Sequence, residues 1–272
     1  MAAPLHQGEV AGTTWNPGQY AKFGDHRLRP ALELLERVPL VGPEVVYDFG
    51  CGTGQVTALM AERWPGATVY GLDNSAQMLD KARSLPVRVQ WIEADIAEWK
   101  PEVAPDLIYS NATLQWLAGH DALFPRLAGF LRPGGCLAVQ MPLSWPAPSH
   151  RLMRETLANG GPDGAPIGPE SLGEVVGRNW VEPAARYYDL LAGIATSIDI
   201  WETEYLQVLS GDDPVLEWVS ATGLRPILNG LDDADRTVFL EAYRARLREA
   251  YPARPDGHTL YPFGRLFIVA TT

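Results

Sequence analysis

Between Val45 and Met141 the chain alternates short apolar runs with stretches of helical periodicity, and no other feature constrains its fold as strongly. Val45, Val46 and Tyr47 run straight into Asp48-Phe49-Gly50-Cys51-Gly52-Thr53-Gly54, a pattern that predicts a buried strand, a tight turn and a helix start. The helix carries Val56, Leu59, Met60 and Trp64 until Pro65 stops it. Strand 68–72, helix 76–84, strand 87–92, strand 107–111, helix 122–131 and strand 136–141 are predicted to follow. Strands alternating with helices of this length form parallel β-α units, so the fold class is α/β, a Rossmann-like, doubly wound open sheet.

The flanking segments read differently. A short helix is predicted from Arg29 to the residues before Pro39, with Pro30 near its start. Beyond Pro142 the alternation stops, and Pro146, Pro148, Pro162, Pro166 and Pro169 surround one helical stretch at 150–158. A strand at 198–209, helices at 213–222 and 232–251 and a last strand at 265–271 are predicted to complete the chain. The expected organisation is one domain over 1–272, with a mobile tail at 1–13 and an N-terminal lid segment at 14–29. Its core spans 30–147 and 197–272, and a mostly helical insertion at 148–196 lies over the active-site face.

The 272 residues carry a formal charge of −11. A chain of this length buries about three quarters of its unfolded surface and needs no metal or disulfide to hold a core. The acidity argues against nucleic acid or an anionic membrane as partner, because both select cationic surfaces. Cys51 and Cys136 stand far apart in no metal-ligand spacing, so no disulfide framework or metal site is expected, and a reducing compartment fits. Without a signal-like N-terminus or a long apolar run, the expected location is cytoplasmic. The five histidines occupy no triad or metal spacing and are expected at the solvent rather than in catalysis.

Three carboxylates mark predicted strand ends: Asp48 at the first, Asp73 at the second and Asp95 at the third. In an open α/β sheet the ligand lies in the crevice outside the carboxyl ends of the strands. The glycine turn departs from the dinucleotide fingerprint, since Gln55 stands where its third glycine would be, and an aspartate beside the ligand suits a cationic or hydroxyl-rich group rather than a phosphate. Asp73 follows Gly54 by 19 positions, about the spacing at which an acid reaches ribose hydroxyls. Taken singly, these acids also read as helix caps and Met78 as core.

In this order the motifs resemble the class I S-adenosylmethionine-dependent methyltransferases. The resemblance implies that Gly50, Gly52 and Gly54 bring the methionine part of the cofactor against the backbone, near Asp48. It also implies that Asp73 and the adjacent Asn74 meet the ribose, that Asp95, Ile96 and Met78 meet the adenine, and that Asn111 and Ala112 line the methionine end. S-adenosyl-L-methionine is then the cofactor and S-adenosyl-L-homocysteine the product.

Further motifs are similar to those of the trans-aconitate 2-methyltransferase family within that class. They are Trp15-Asn16-Pro17-x-x-Tyr20, Gln115-Trp116-Leu117, Gln140-Met141-Pro142 with Trp145, Tyr187-Tyr188-Asp189, the 221–226 segment through Gly223-Leu224-Arg225-Pro226, and Arg265-Leu266-Phe267. This resemblance implies methyl transfer to a carboxylate of trans-aconitate, giving a monomethyl ester; the alternative is another small carboxylic acid or other small-molecule acceptor. No obligate protein partner is evident. A carboxylate is ionised near pH 7 and attacks without a general base, so no catalytic residue is expected. Rate then rests on alignment and exclusion of water.

An anionic acceptor needs fixed donors, and beyond Pro142 the chain has 11 arginines and no lysine against 18 acids. Arg225, Arg186 with its neighbour Tyr187, and Arg265 are the candidates, with Trp15, Tyr20, Trp116 and Trp145 as aromatic walls. Trp64, Trp91, Trp99, Trp180, Trp201 and Trp218 are assigned to packing, and Arg244, Arg246 and Arg248 to a solvated helix face. The Gly160–Pro169 loop and Gly264, where a bulkier residue is expected, depart from the family pattern.

Overall fold

The structure, a computed structural model, describes residues 28–220 and 223–272. The predicted tail, most of the N-terminal lid segment, Trp15, Tyr20 and residues 221–222 lie outside the described residues. Helix α1 (Leu28–Glu36) precedes β1 (Val45–Phe49), α2 (Gln55–Arg63), β2 (Thr68–Asp73), α3 (Ala76–Arg83), β3 (Gln90–Glu93), β4 (Leu107–Asn111), α4 (His120–Ala128) and β5 (Cys136–Pro142). Then come α5 (Pro148–Asn159), α6 (Glu170–Gly177), α7 (Ala184–Leu191), β6 (Ser197–Leu209), α8 (Pro214–Ser220), α9 (Arg225–Gly230), α10 (Asp233–Ala250) and β7 (Thr259–Thr271).

The strands form one seven-stranded sheet in the order β3-β2-β1-β4-β5-β7-β6. The neighbours among β1 to β5 pair in parallel, while β7 runs antiparallel to both β5 and β6. The order reverses between β1 and β4, which places a crevice at the carboxyl ends of those strands. The period of two along each strand divides the core. Tyr47, Phe49, Ile108, Leu137, Val139, Leu266 and Ile268 pack on one face, while Val46, Leu107, Tyr109, Cys136, Ala138, Phe267 and Val269 pack on the other. Burial on both faces explains the near-continuous apolar runs in the sequence.

Helix α1 is tied to the far edge of the sheet through one carboxylate. Glu33 accepts from Trp201 Nε1 at 3.3 Å, Thr203 Oγ1 at 3.2 Å and Tyr205 OH at 2.5 Å, three donors on β6. Burial and that carboxylate together push the Tyr205 phenol well above its ordinary range.

A second apolar cluster lies beyond the sheet. Met153 and Leu157 of α5, Leu172 of α6, Val219 of α8, Ile227 of α9 and Phe239 and Tyr243 of α10 pack around Tyr261 and Phe263 at the start of β7. The helical layer is therefore drawn from 148–177 and 210–263 together. Helix α7, placed in the predicted insertion, sends Tyr187 and Leu191 into the sheet core instead. Two further differences concern extent. The last strand begins at Thr259, where alternation of Thr259, Tyr261 and Phe263 with half-buried residues reaches into the helical layer, and β3 is confined to Gln90–Glu93.

Candidate active site

The carboxyl ends of the parallel strands open into a cavity of about 870 Å³. Of the predicted cofactor residues, Gly50, Gly52, Asp73, Asn74, Met78, Asp95, Ile96, Asn111 and Ala112 line it. The β1–α2 turn takes left-handed backbone at Gly50, Gly52 and Gly54, with φ of 71°, 55° and 78°. These three glycines do different things. A Cβ at Gly50 would collide with the Thr113 side chain, whereas one at Gly52 would meet nothing within 4 Å. At Gly54 it would come within 2.5 Å of Trp91 Cη2, and Gly54 does not line the cavity; it seats α2 against β3.

Asp48 likewise lies off the cavity wall, although it was expected at the ligand. Alternation turns its side chain toward α2, where it is 3% exposed and Oδ2 accepts from Thr57 Oγ1 at 2.6 Å. Burial raises its pKa to about 7, against the lowering effect of the Thr57 bond and with further help from the charge of Asp73.

Asp73 ends β2 with both oxygens engaged: Oδ2 accepts from Gly52 N and Oδ1 from Ser75 N, each at 2.9 Å. Ser75 in turn caps α3 by accepting from Met78 N. Asp95 stands two residues past β3 rather than at its end, and its Oδ1 accepts from Ala97 N at 2.8 Å. Beyond β4, Ala112 holds a left-handed φ of 54°, and its N–H donates to Gln140 O at 2.9 Å. Such backbone in a non-glycine residue costs about 1 kcal/mol and here points the 111–113 turn at the cavity. The buried Asn111 Oδ1 and Gln115 Oε1 have no hydrogen-bond partner among the described residues. These acceptors, with Asp73 and Asp95, suit a ligand rich in N–H and O–H donors.

The acceptor residues divide. Trp116, Trp145, Arg225 and Arg265 line the same cavity. Arg265 is 6% exposed, lies opposite Pro142 at the end of β5, donates to Gln140 Oε1 at 3.1 Å and sits 4.5 Å from the Phe263 ring centroid. Arg186 does not reach the cavity. It lies on the surface with its Nε on Asp121 Oδ1 at 2.9 Å and its terminal nitrogen on Oδ2 at 2.7 Å, a pairing that raises its own pKa and lowers that of Asp121. Tyr187 is fully buried away from it. His120 Nε2 reaches the Leu114 carbonyl at 2.9 Å and must donate there, so Nδ1 accepts from Tyr187 OH at 2.7 Å, and that oxygen accepts from Glu182 N at 3.0 Å. Burial lowers the His120 pKa and raises that of Tyr187, which keeps both neutral.

Several placements were not anticipated. His120 is buried and His150 partly so, against the expectation of solvent. His150 lines the cavity, with its pKa brought down to about 4 by burial and the nearby Arg154 charge. Trp180 and Trp218, assigned to packing, line it as well, as do Arg154 and Arg178. The i, i+3, i+4 spacing of His150, Met153 and Arg154 on α5 was the available signal. Of the expected solvated face, Arg244 and Arg248 pair with Asp213 at 2.9 and 2.8 Å, and Arg246 bonds to Thr156 and Asn159. At Gly264, an added Cβ would stand 3.4 Å from Leu143 Cβ, an ordinary contact.

Sheet order, glycine turn and strand-end acids define a class I methyltransferase, and a family model described as a methyltransferase domain matches residues 46–135. The chain belongs to the trans-aconitate 2-methyltransferase family. It is 51% identical to a trans-aconitate 2-methyltransferase of Methylobacterium radiotolerans over 94% of this chain and 97% of that one. It is 47% identical to that of Azoarcus sp. (strain BH72), over 94% and 98%. Among solved structures, the YcgJ protein of Bacillus subtilis superposes with a TM-score of 0.57 at 12% identity, covering 90% of this chain and 98% of that one. Haemonchus contortus phosphoethanolamine N-methyltransferase 2, solved with S-adenosylhomocysteine, gives 0.52 at 18%, covering 90% and 52%. No helix among the described residues is long and apolar enough to cross a membrane.

Proposed function

We propose that the protein methylates one carboxylate of trans-aconitate, with S-adenosyl-L-methionine as donor and a monomethyl ester and S-adenosyl-L-homocysteine as products. One observation carries this reading beyond family membership: a single cavity holds the acids Asp73 and Asp95 and the arginines Arg225 and Arg265. The acids suit a hydroxyl-bearing, cationic donor, and the guanidinium groups suit a polyanionic acceptor.

When bound, S-adenosyl-L-methionine supplies a methyl group on a positively charged sulfur. Gly50 and Gly52 let it lie close to the backbone, Asp73 with Asn74 takes the ribose hydroxyls, and Asp95, Ile96 and Met78 frame the adenine. Asn111 and Gln115 offer buried acceptors toward the amino-acid end. Arg265, fixed by Gln140 next to the 111–113 turn, holds the reacting carboxylate, and Arg225 takes another. Trp116 and Trp145 close over the pair and exclude water. The acceptor oxygen is already anionic at neutral pH, so the residues contribute alignment and desolvation, and His150 is not needed as a base.

The whole chain works as one catalytic unit without an obligate protein partner. Its two free, buried cysteines fit a reducing, cytoplasmic setting.

Incubation with methyl-labelled S-adenosyl-L-methionine and a panel of di- and tricarboxylates tests the reading. Label in a trans-aconitate monoester supports it. Turnover of a different acid with none of trans-aconitate would assign the same scaffold to another acceptor.

A further inference from the structure

Most arginines in the helical half of the chain fall into two groups. Arg151, Arg186, Arg236, Arg244 and Arg248 are ion-paired to carboxylates of the protein. Arg154, Arg178 and Arg225 make no ion pair among the described residues, and all three line the cavity. Arg254, in the turn before β7, likewise makes no ion pair among the described residues but does not line the cavity, and Arg246 bonds to neutral oxygens.

Helix α5 shows how the separation arises. Arg151 faces solvent and takes Glu155 at 2.6 Å with i, i+4 spacing, which occupies the nearest acid. Arg154 turns the other way, onto the cavity wall. Its guanidinium lies 3.9 Å from the centroid of the Trp145 ring, and one terminal nitrogen donates to the Trp145 carbonyl at 2.9 Å. The ring and the carbonyl fix the fork in place and leave further N–H donors for a ligand. Partial burial lowers the Arg154 pKa, against the raising effect of the Glu155 charge and with further lowering by that of Arg151. Arg178 reaches the cavity from the segment after α6, and Arg225 from the first residue of α9.

We propose that Arg154 and Arg178 join Arg225 in a polycarboxylate subsite that binds the acceptor carboxylates that are not methylated, with Arg154 stacked on Trp145 as its fixed member. The inference rests on the carboxyl methyltransferase reading above and adds the residues that set how many charges the acceptor carries. Three guanidinium groups from three elements match an acceptor with more than one free carboxylate. A net charge of −11 makes such local compensation necessary, because the molecule as a whole repels a polyanion.

The test compares wild type with Arg154→Met, Arg154→Lys and Arg178→Met, using trans-aconitate, dicarboxylates and a monocarboxylate as acceptors. Calorimetric binding of S-adenosyl-L-homocysteine and circular dichroism report on folding. For Arg154→Met, KM for trans-aconitate is expected to rise about 30-fold, the scale of one lost charge-assisted contact, with homocysteine-product affinity within about twofold. The preference for tri- over monocarboxylates is expected to fall about tenfold, Lys is expected to restore part of it, and Arg178→Met to act in the same direction more weakly. An unchanged KM, or an equal loss for acids of every charge, overturns the subsite while leaving the methyltransferase reading intact. If wild type turns over none of the acids, that reading falls on its own. Titration of citrate into the S-adenosyl-L-homocysteine complex then decides the subsite, which is overturned by equal affinity in wild type and Arg154→Met.

Discussion

Gly52 donates its backbone N–H to Asp73 Oδ2 at 2.9 Å, joining the glycine turn after β1 to the end of β2. One carboxylate thus shapes the turn and faces the cavity. Asp73→Ala is expected to weaken S-adenosyl-L-homocysteine binding by about 100-fold, since it removes both a contact and the order of the turn, while KM for the acceptor changes less. Calorimetry and initial rates at saturating acceptor check this; an effect confined to the acceptor would contradict it.

Glycines at 52 and 54 separate binding from folding. Gly54→Ala is expected to cost about 2–3 kcal/mol in urea unfolding, because the methyl meets Trp91 on left-handed backbone. Gly52→Ala has room for its methyl and is expected to cost only about 1 kcal/mol of backbone strain while abolishing measurable cofactor binding. Similar unfolding midpoints for the two variants would refute the distinction.

For Asp48 the sign of the pH effect follows from a folded pKa raised from 3.8 to about 7. The folded state binds the proton more tightly than the unfolded chain, so this group's contribution to stability is fully present below about pH 4 and is lost as pH rises to about 7. In the ligand-free protein Asp48→Asn is expected to raise stability by about 1–3 kcal/mol at pH 8 and to change it little at pH 4. Urea midpoints at the two pH values decide the matter.

Arg225 and Arg186 make a matched pair of substitutions. Arg225→Ala is expected to raise KM for trans-aconitate about 30-fold with cofactor affinity unchanged. Arg186→Ala, which only frees the exposed Asp121, is expected to leave both constants unaltered. Steady-state kinetics with each variant checks both outcomes.

Tyr187→Phe removes the hydroxyl shared by His120 and the Glu182 N–H, leaving buried polar groups without a partner. A loss of about 1–2 kcal/mol is expected with KM values unchanged. A selective rise in the acceptor KM would return Tyr187 to the site.

Most of the sheet was legible because β1, β4 and β5 are buried on both faces, so each reads as an apolar run beside a turn signal, whereas the half-exposed β3 departs from its expected bounds. The cofactor wall was legible for a related reason: its residues lie within a few positions of strand ends, where the topology brings them together. Asp48 and Gly54 belong to the same motif, yet alternation and the packing of Trp91 turn them inward, which spacing alone does not reveal. The acceptor side was harder. Tyr187 follows the apolar phase of α7 into the core, and Arg186 is captured by Asp121, 65 positions away in sequence. Arg154 was hidden by the opposite circumstance, since its neighbour Arg151 takes the adjacent acid.

Strand β7 passes through two interiors. Tyr261 and Phe263 anchor the helical layer, Leu266, Phe267 and Ile268 anchor the sheet, and β6 pairs with it from Ser197 to Leu209 without a break. The cover over the cavity is thus mechanically continuous with its floor, and Arg265 sits at the joint. Among the described residues this continuity leaves the cover no hinge across β7 on which to swing as a separate lobe, and heating is expected to melt cover and floor in a single transition.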